Sequence, residues 1–200
     1  MSGHEHVHDH EHDEDEHEHD EEEHDEEAER AARRQIALAQ VRQYGDPVLR
    51  MRANEVETFD EELARLAERM TALMHEADGV GLAATQVGIL RRLFVFSDDG
   101  EDHVVVNPVL TRTSEYTGVE EEGCLSLGPV RLPVERPLDV TVDGVDVHGE
   151  PLRLELKGLA ARVVQHEIDH LDGTLIIDRT DPESRREAMA QLRPRLLLSR

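Results

Sequence analysis

The first 29 residues contain 16 Asp or Glu, eight His and no Lys or Arg. Such a stretch has almost no apolar surface to set against the entropy of ordering it. It is expected to be a disordered tail running to about residue 35, with folding confined to a single domain over residues 36–200 whose ordered part begins between Arg33 and Val41. The net charge of −24 is set largely by this tail, because the remaining 30 acidic residues against 22 basic ones leave only −8. A mildly acidic domain argues against nucleic-acid binding, direct DNA contact included.

The tail histidines are His4, His6, His8, His10, His12, His17, His19 and His24. Imidazoles and carboxylates at this density can bind divalent metal loosely and many ions at a time. The alternative is a charged segment that only solubilises the chain. One cysteine, Cys124, rules out an intrachain disulfide, so nothing suggests an oxidising compartment. No apolar run approaches the ~18–20 residues of a membrane span, and the acidic start is unlike a secretory signal. The expectation is a cytoplasmic protein without a membrane segment.

Aromatic residues make up 2% of the chain, so the core must rest on Leu, Val, Ile, Ala and Met. Asp60 caps a helix through Ala77, with Leu63, Ala67, Met70, Met74 and Ala77 on one stripe and Gly79 as its stop. Segments 92–97 and 104–110 flank Asp98-Asp99-Gly100 and read as a hairpin. Segments 138–147 and 152–156 flank His148-Gly149-Glu150-Pro151 and read as another. A helix follows from Leu159 to Leu171, ended by Gly173, and Asp181-Pro182-Glu183 opens a last one. The order predicts an α+β fold with antiparallel sheet.

The segment His166-Glu167-Ile168-Asp169-His170 is an HExxH motif on the predicted helix. Residues four apart share a helical face, so two imidazoles can hold one ion while the Glu between them takes a proton from activated water. His4-Glu5-His6-Val7-His8 satisfies the same pattern in the tail, where no apolar stripe fixes its geometry. A catalytic site of this kind needs a third protein ligand. Cys124, in Glu122-Gly123-Cys124-Leu125-Ser126, is the best-placed candidate. It can equally be a nucleophile or a small buried side chain. Gly79-Val80-Gly81-Leu82-Ala83-Ala84-Thr85-Gln86-Val87-Gly88 reads as a turn of small residues where a ligand or another strand passes close by.

Together, GVGLAATQVG at 79–88, EGCLS at 122–126 and QHEIDHLDG at 165–173 resemble the three signature motifs of the peptide deformylase family. Gln43-Tyr44-Gly45-Asp46-Pro47-Val48-Leu49-Arg50 is similar to that family's N-terminal segment, and the resemblance covers roughly residues 40–180. It implies mixed, mostly antiparallel sheets packed around a central HExxH helix, with an N-terminal and a C-terminal helix. It implies removal of the formyl group from formyl-methionyl nascent peptides, and the chain is expected to act as a monomer. Cys124, His166 and His170 take the metal-ligand positions, Glu167 that of general acid/base, and Gln86 and the N–H of Leu125 those that stabilise an oxyanion. Val80, Gly81, Gly123, Leu159 and Val163 are positioned to line the methionine pocket. The implied ion is Fe2+, with Ni2+, Co2+ or Zn2+ able to occupy the site. Two departures stand out: Glu120 to Glu122 form a run of three where the family pattern has two, and Leu127-Gly128-Pro129 replaces a residue followed directly by Pro.

Two other readings remain open at this level. A zincin-type peptidase would take its third ligand downstream, from Asp172, Asp178, Glu183 or Glu187. A metal-handling protein would work through the tail. The stretch 179–200, with six Arg against three acidic residues, reads as a packing helix with a basic exposed face or as a weak ribosome contact.

Overall fold

The computed structural model describes the backbone of residues 12–198 and the side chains of residues 26–193. Helix α1 spans His12–Gln40, and the tail's HExxH copy at 4–8 lies outside the described residues. Residues 12–35, part of the segment expected to be disordered, lie within this helix, and residues 1–11 are outside the described residues. Ala28, Ala31, Ala32, Ala37 and Ala39 are strong helix formers, and no Gly or Pro interrupts the chain from His12 to Tyr44. Ala37 and Val41 are buried in the core, and Arg30 and Arg34 both pair with Asp78, at 2.7 and 3.4 Å.

Helix α2 (Glu61–Glu76) is capped by Asp60, whose carboxylate accepts from the Leu63 N–H at 3.0 Å. The left-handed residue after it is Asp78, φ 54°, one position before the expected Gly79. The small-residue segment then forms a strand, β1 (Gly81–Ala83), and a 3-10 turn (Ala84–Val87). The turn reading is corrected here: Gly81, Leu82 and Ala83 pair with Phe96, Val95 and Phe94 of β2 (Leu93–Asp98).

A two-residue turn, Asp99-Gly100, with positive φ at both positions, joins β2 to β3 (Glu101–Thr113). The second hairpin is β6 (Asp139–Val145) and β7 (Pro151–Lys157). These strands make one antiparallel sheet in the order β1-β2-β3-β6-β7. Strand β2 is buried on both faces: Leu93 and Val95 meet α2, Phe94 and Phe96 meet α3 (Gly158–Leu171). That explains why its sequence is a continuous apolar run without alternation.

A separate two-stranded ribbon, β4 (Thr117–Gly123) with β5 (Arg131–Pro137), was not legible beforehand. Its apolar residues join a third core cluster with Leu49, Leu175, Ile176 and Leu192, the last from α4 (Pro182–Leu198). Helix α3 packs on the larger sheet through Ala160, Ala161, Val163 and Val164. It reaches the ribbon through Arg162, which donates to the Val134 carbonyl, and Gln165, which donates to that of Pro137. No helix among the described residues is long and apolar enough to cross a membrane.

Candidate metal and catalytic site

Helix α3 supplies His166, Glu167 and His170. Its end is fixed by Gly173, φ 74°, where a Cβ would lie 2.7 Å from the Arg50 carbonyl oxygen. Cys124 follows the last residue of β4 and begins a turn closed by the Leu127 N–H donating to its carbonyl at 2.9 Å. The ribbon thus delivers the thiol to the helix. Donor atoms of Cys124, His166 and His170 all lie within 4.8 Å of one another, with Sγ of Cys124 3.2 Å from Nε2 of His170. The two imidazoles meet edge to face at 4.9 Å.

Glu167 is buried, and its Oε2 has no hydrogen-bond partner. Burial holds its carboxyl up, to about 7. A sulfur and two imidazole nitrogens on one face, beside a buried carboxylate oxygen left unengaged, suit a borderline divalent ion and the activation of a water next to it. Gly81 makes room for this group: a Cβ there would collide with Oε1 of Glu167 and come within 2.9 Å of Val163.

Gln86 sits on the 3-10 turn after β1, buried. Its Oε1 accepts from the Ala83 N–H at 2.9 Å, which turns Nε2 toward Ser126 Oγ at 3.2 Å and Cys124 Sγ at 3.7 Å. Leu125, next to Cys124, lies on the same cleft, and its side chain meets Gly79. Val80, Gly81, Gly123, Leu159 and Val163 line that cleft too, together with Cys124, His166 and Glu167, in a volume of about 870 Å³. Val80 and Leu159 are exposed at its mouth. His170 lies behind it, buried.

The residues missed at sequence level are charged ones. Glu122 accepts from Arg136 at 2.9 and 3.0 Å, from Arg162 at 2.8 Å and from Nδ1 of His166 at 3.0 Å. Burial raises its pKa, but the bonds from His166 and Arg136 outweigh that and hold it at about 2. Arg136 also donates to Asp169 at 2.6 Å, and Asp169 is bonded by Arg179. Burial works against protonation of His166, and the neighbouring Cys124 and Glu122 overcome it and raise its pKa well above normal. His170 is pushed well below, by burial first and then by the charge of His166. One signal was available: in Arg131-Leu132-Pro133-Val134-Glu135-Arg136 the alternation places Arg136 on the buried face with Leu132 and Val134.

Among the downstream acids, Asp172 is bonded by Arg92 at 2.7 Å and Asp178 is paired with Arg50. Glu183 and Glu187 are exposed on α4. Among the described residues, Cys124 is the potential third donor that the fold brings within reach of the two histidines.

The family model described as polypeptide deformylase matches residues 38–186. The chain belongs to the peptide deformylase family. "Peptide deformylase 1" of Corynebacterium efficiens is 47% identical over 162 residues, covering 79% of this chain and 96% of the relative. A peptide deformylase of Thermotoga neapolitana is 49% identical over 146 residues, covering 73% and 89%. A crystal structure of a peptide deformylase from Legionella pneumophila is similar at TM-score 0.74 and 39% identity, over 80% of this chain and 95% of that one. The Thermotoga maritima peptide deformylase crystal structure is similar at TM-score 0.69 and 48% identity, over 71% and 97%. The peptide deformylase match begins within α1, so the acidic and His-rich part of that helix lies ahead of it.

Proposed function

We propose that this chain, an enzyme of a family that hydrolyses the N-terminal formyl group from nascent polypeptides, does so with Cys124, His166 and His170 holding one divalent ion. The observation that carries the reading is the convergence of those three donors, distant in sequence, beside a buried and unpartnered oxygen of Glu167. When bound, such an ion supplies Lewis acidity and draws the pKa of a neighbouring water toward neutrality.

Glu167 accepts the proton from that water and later delivers it to the leaving amine. Its high pKa in the ion-free protein suits a group that must carry the proton between two steps. Nε2 of Gln86 and the N–H of Leu125 donate to the carbonyl oxygen as it gains negative charge. The formyl carbon bears only hydrogen, so an enclosed site admits it and excludes bulkier acyl groups. Val80, Gly81, Gly123, Leu159 and Val163 take the methionine side chain. The seat of α3 between the larger sheet and the ribbon acts as the central support on which the two halves of the site are registered.

Fe2+ is the proposed ion on the resemblance to the family, and a mixed thiolate and imidazole set can also hold Ni2+, Co2+ or Zn2+. Metal analysis of anaerobically prepared protein decides among them. We place the enzyme in the cytoplasm as a monomer acting on formyl-methionyl nascent chains. Arg186 and Arg193, exposed on α4, are the candidate ribosome contact, and loss of salt-sensitive co-sedimentation with ribosomes on replacing both checks it. The test of the main reading is Glu167→Gln: metal content is retained and turnover of a formyl-Met peptide falls about 10²–10⁴-fold. Near-native turnover would remove Glu167 from the mechanism.

A further inference from the structure

Helix α1 does more than cover the core. One turn of its face, Arg34, Gln35, Leu38 and Ala39, lines the cleft that also holds Cys124, His166 and Glu167. Arg34 and Gln35 precede residue 38, where the family match begins, so this stretch of wall is an addition to the matched domain. It is locked to the site at two places. Arg30 and Arg34 pair with Asp78, the residue before Gly79-Val80-Gly81. Past the helix, the Gln43 side chain donates to the Leu125 carbonyl at 3.1 Å, and the Tyr44 N–H donates to that of Ser126 at 2.8 Å. The wall therefore keeps a fixed place beside β1 and the Cys124 turn.

The substrate is a polypeptide, and the methionine pocket accounts only for its first residue. The cleft's volume of about 870 Å³ is toward the upper end of the ~300–1,000 Å³ typical of sites that bury a drug-sized ligand. It has room for more than one residue, and those after methionine must leave past its walls. On α1 the wall offers a cation. Arg30 bonds Asp78 at 2.7 Å, whereas Arg34 approaches it only through Nε, at 3.4 Å. The terminal nitrogens of Arg34 make no hydrogen bond to another described residue, and its side chain is 41% exposed. Of the other carboxylates in the cleft, Glu122 is held by Arg136 and Arg162, Glu167 is buried, and Glu121 is exposed on the ribbon.

We propose that Arg34, with Gln35 beside it, forms a subsite that favours formyl-Met peptides with an acidic side chain at the second or third residue, an inference that rests on reading the cleft as the deformylating site. A guanidinium presents parallel donors that match a carboxylate, and the terminal nitrogens of Arg34 are placed to supply them. Arg34 touches no reacting atom. It is a specificity-determining residue that strengthens binding of ground state and transition state alike, so its effect belongs in KM.

The experiment uses the full metal-loaded chain with formyl-Met-Asp-Ala-Ala, formyl-Met-Ala-Asp-Ala and the same peptides with Asn or Lys in place of Asp. At one or both positions kcat/KM is expected to favour Asp over Asn about two- to five-fold, the size of an ion pair at a partly exposed guanidinium. The ratio should fall to one in Arg34→Gln, whose turnover of the Asn peptides stays native because Arg30 still holds Asp78. Arg34→Glu should reverse the preference toward the Lys peptide, which a loss of packing alone would not do. Peptide Kd values for Glu167→Gln, which binds without turnover, should show the native Asp-to-Asn ratio. An Asp preference that survives Arg34→Gln overturns the proposal, and its loss in Arg131→Gln instead would place the selectivity on the ribbon. Equal kcat/KM for Asp and Asn peptides in the native chain overturns the subsite and leaves the deformylating reading intact. If the native chain turns over none of these peptides, that reading fails and the subsite with it.

Discussion

Nδ1 of His166 lies 3.0 Å from Oε2 of Glu122, at the meeting point of ribbon and helix. A carboxylate accepting there fixes the proton on Nδ1 and leaves Nε2 free as a ligand. The same carboxylate is gripped by Arg136 and Arg162, so the ring's orientation is tied to the packing of β4, β5 and α3 together.

Replacing this acceptor weakens the hold on metal without touching a donor. Glu122→Gln is expected to lower ion affinity about 10–100-fold. Competition with a chelator of known affinity measures it. Unchanged affinity would show that Glu122 serves the fold alone.

The same residue makes stability depend on acidity. The Glu122 carboxyl stands at about 2 in the folded chain against an ordinary 4.5. A depressed carboxylate stabilises the fold fully above its unfolded pKa, and that stabilisation is lost as pH falls through the folded value. About two and a half pK units correspond to about 3 kcal/mol. Urea unfolding of the metal-free chain at pH 7 and pH 2.5 should show native protein losing about 2.5 kcal/mol more than Glu122→Gln over that interval, the remainder being lost below the folded pKa. Parallel losses in the two proteins would assign the acid sensitivity elsewhere.

Gly81 tests how closely the catalytic carboxylate is seated. A methyl group there would strike Oε1 of Glu167 and approach Val163 to 2.9 Å. Gly81→Ala is expected to cost about 10²-fold in kcat, the penalty of moving a reacting group by roughly an ångström. Ion stoichiometry should stay at that of the native chain. Native kcat in a variant of native ion content would mean that the cleft wall yields more easily than its packing implies.

How much of this was legible in the sequence follows from the range of the forces. Periodicity and capping are local, so α2, the two large hairpins and α3 were readable, Asp60 and Gly173 included. The motif triple brought the candidate metal donors, Gln86 and Glu167 together on paper; in the structure the three donors lie within 4.8 Å of one another, and Cys124, His166, Gln86 and Glu167 line one cleft with the methionine-pocket candidates, His170 being buried outside its lining. The ribbon was missed because its first strand, Thr117–Gly123, carries a run of three glutamates, which no alternation rule reads as a strand. Two of those glutamates are paired across the fold, Glu120 by Arg162 and Glu122 by Arg136 and Arg162, as is Asp169 of α3 by Arg136 and Arg179. Such pairings depend on three-dimensional proximity and leave no local mark. The length of α1 was missed for the opposite reason. Charge density argued for disorder, while its alanines and the tertiary hold of Ala37 and Asp78 favoured helix.

Gln86 offers the sharpest test of the oxyanion reading, because its amide cannot face either way. The Ala83 N–H bonds to Oε1, so the donor end is committed to the side of Cys124 and Ser126. A donor aimed where charge develops acts on the transition state more than on bound substrate. Gln86→Ala is therefore expected to lower kcat and kcat/KM together, by about 10²–10³-fold. KM for a formyl-Met peptide should move little by comparison, and ion content should be unchanged. Steady-state kinetics on ion-matched samples separate the outcomes. A rise in KM at native kcat would make Gln86 a substrate-binding group, and the oxyanion would then need its donors from the backbone beside Cys124 alone.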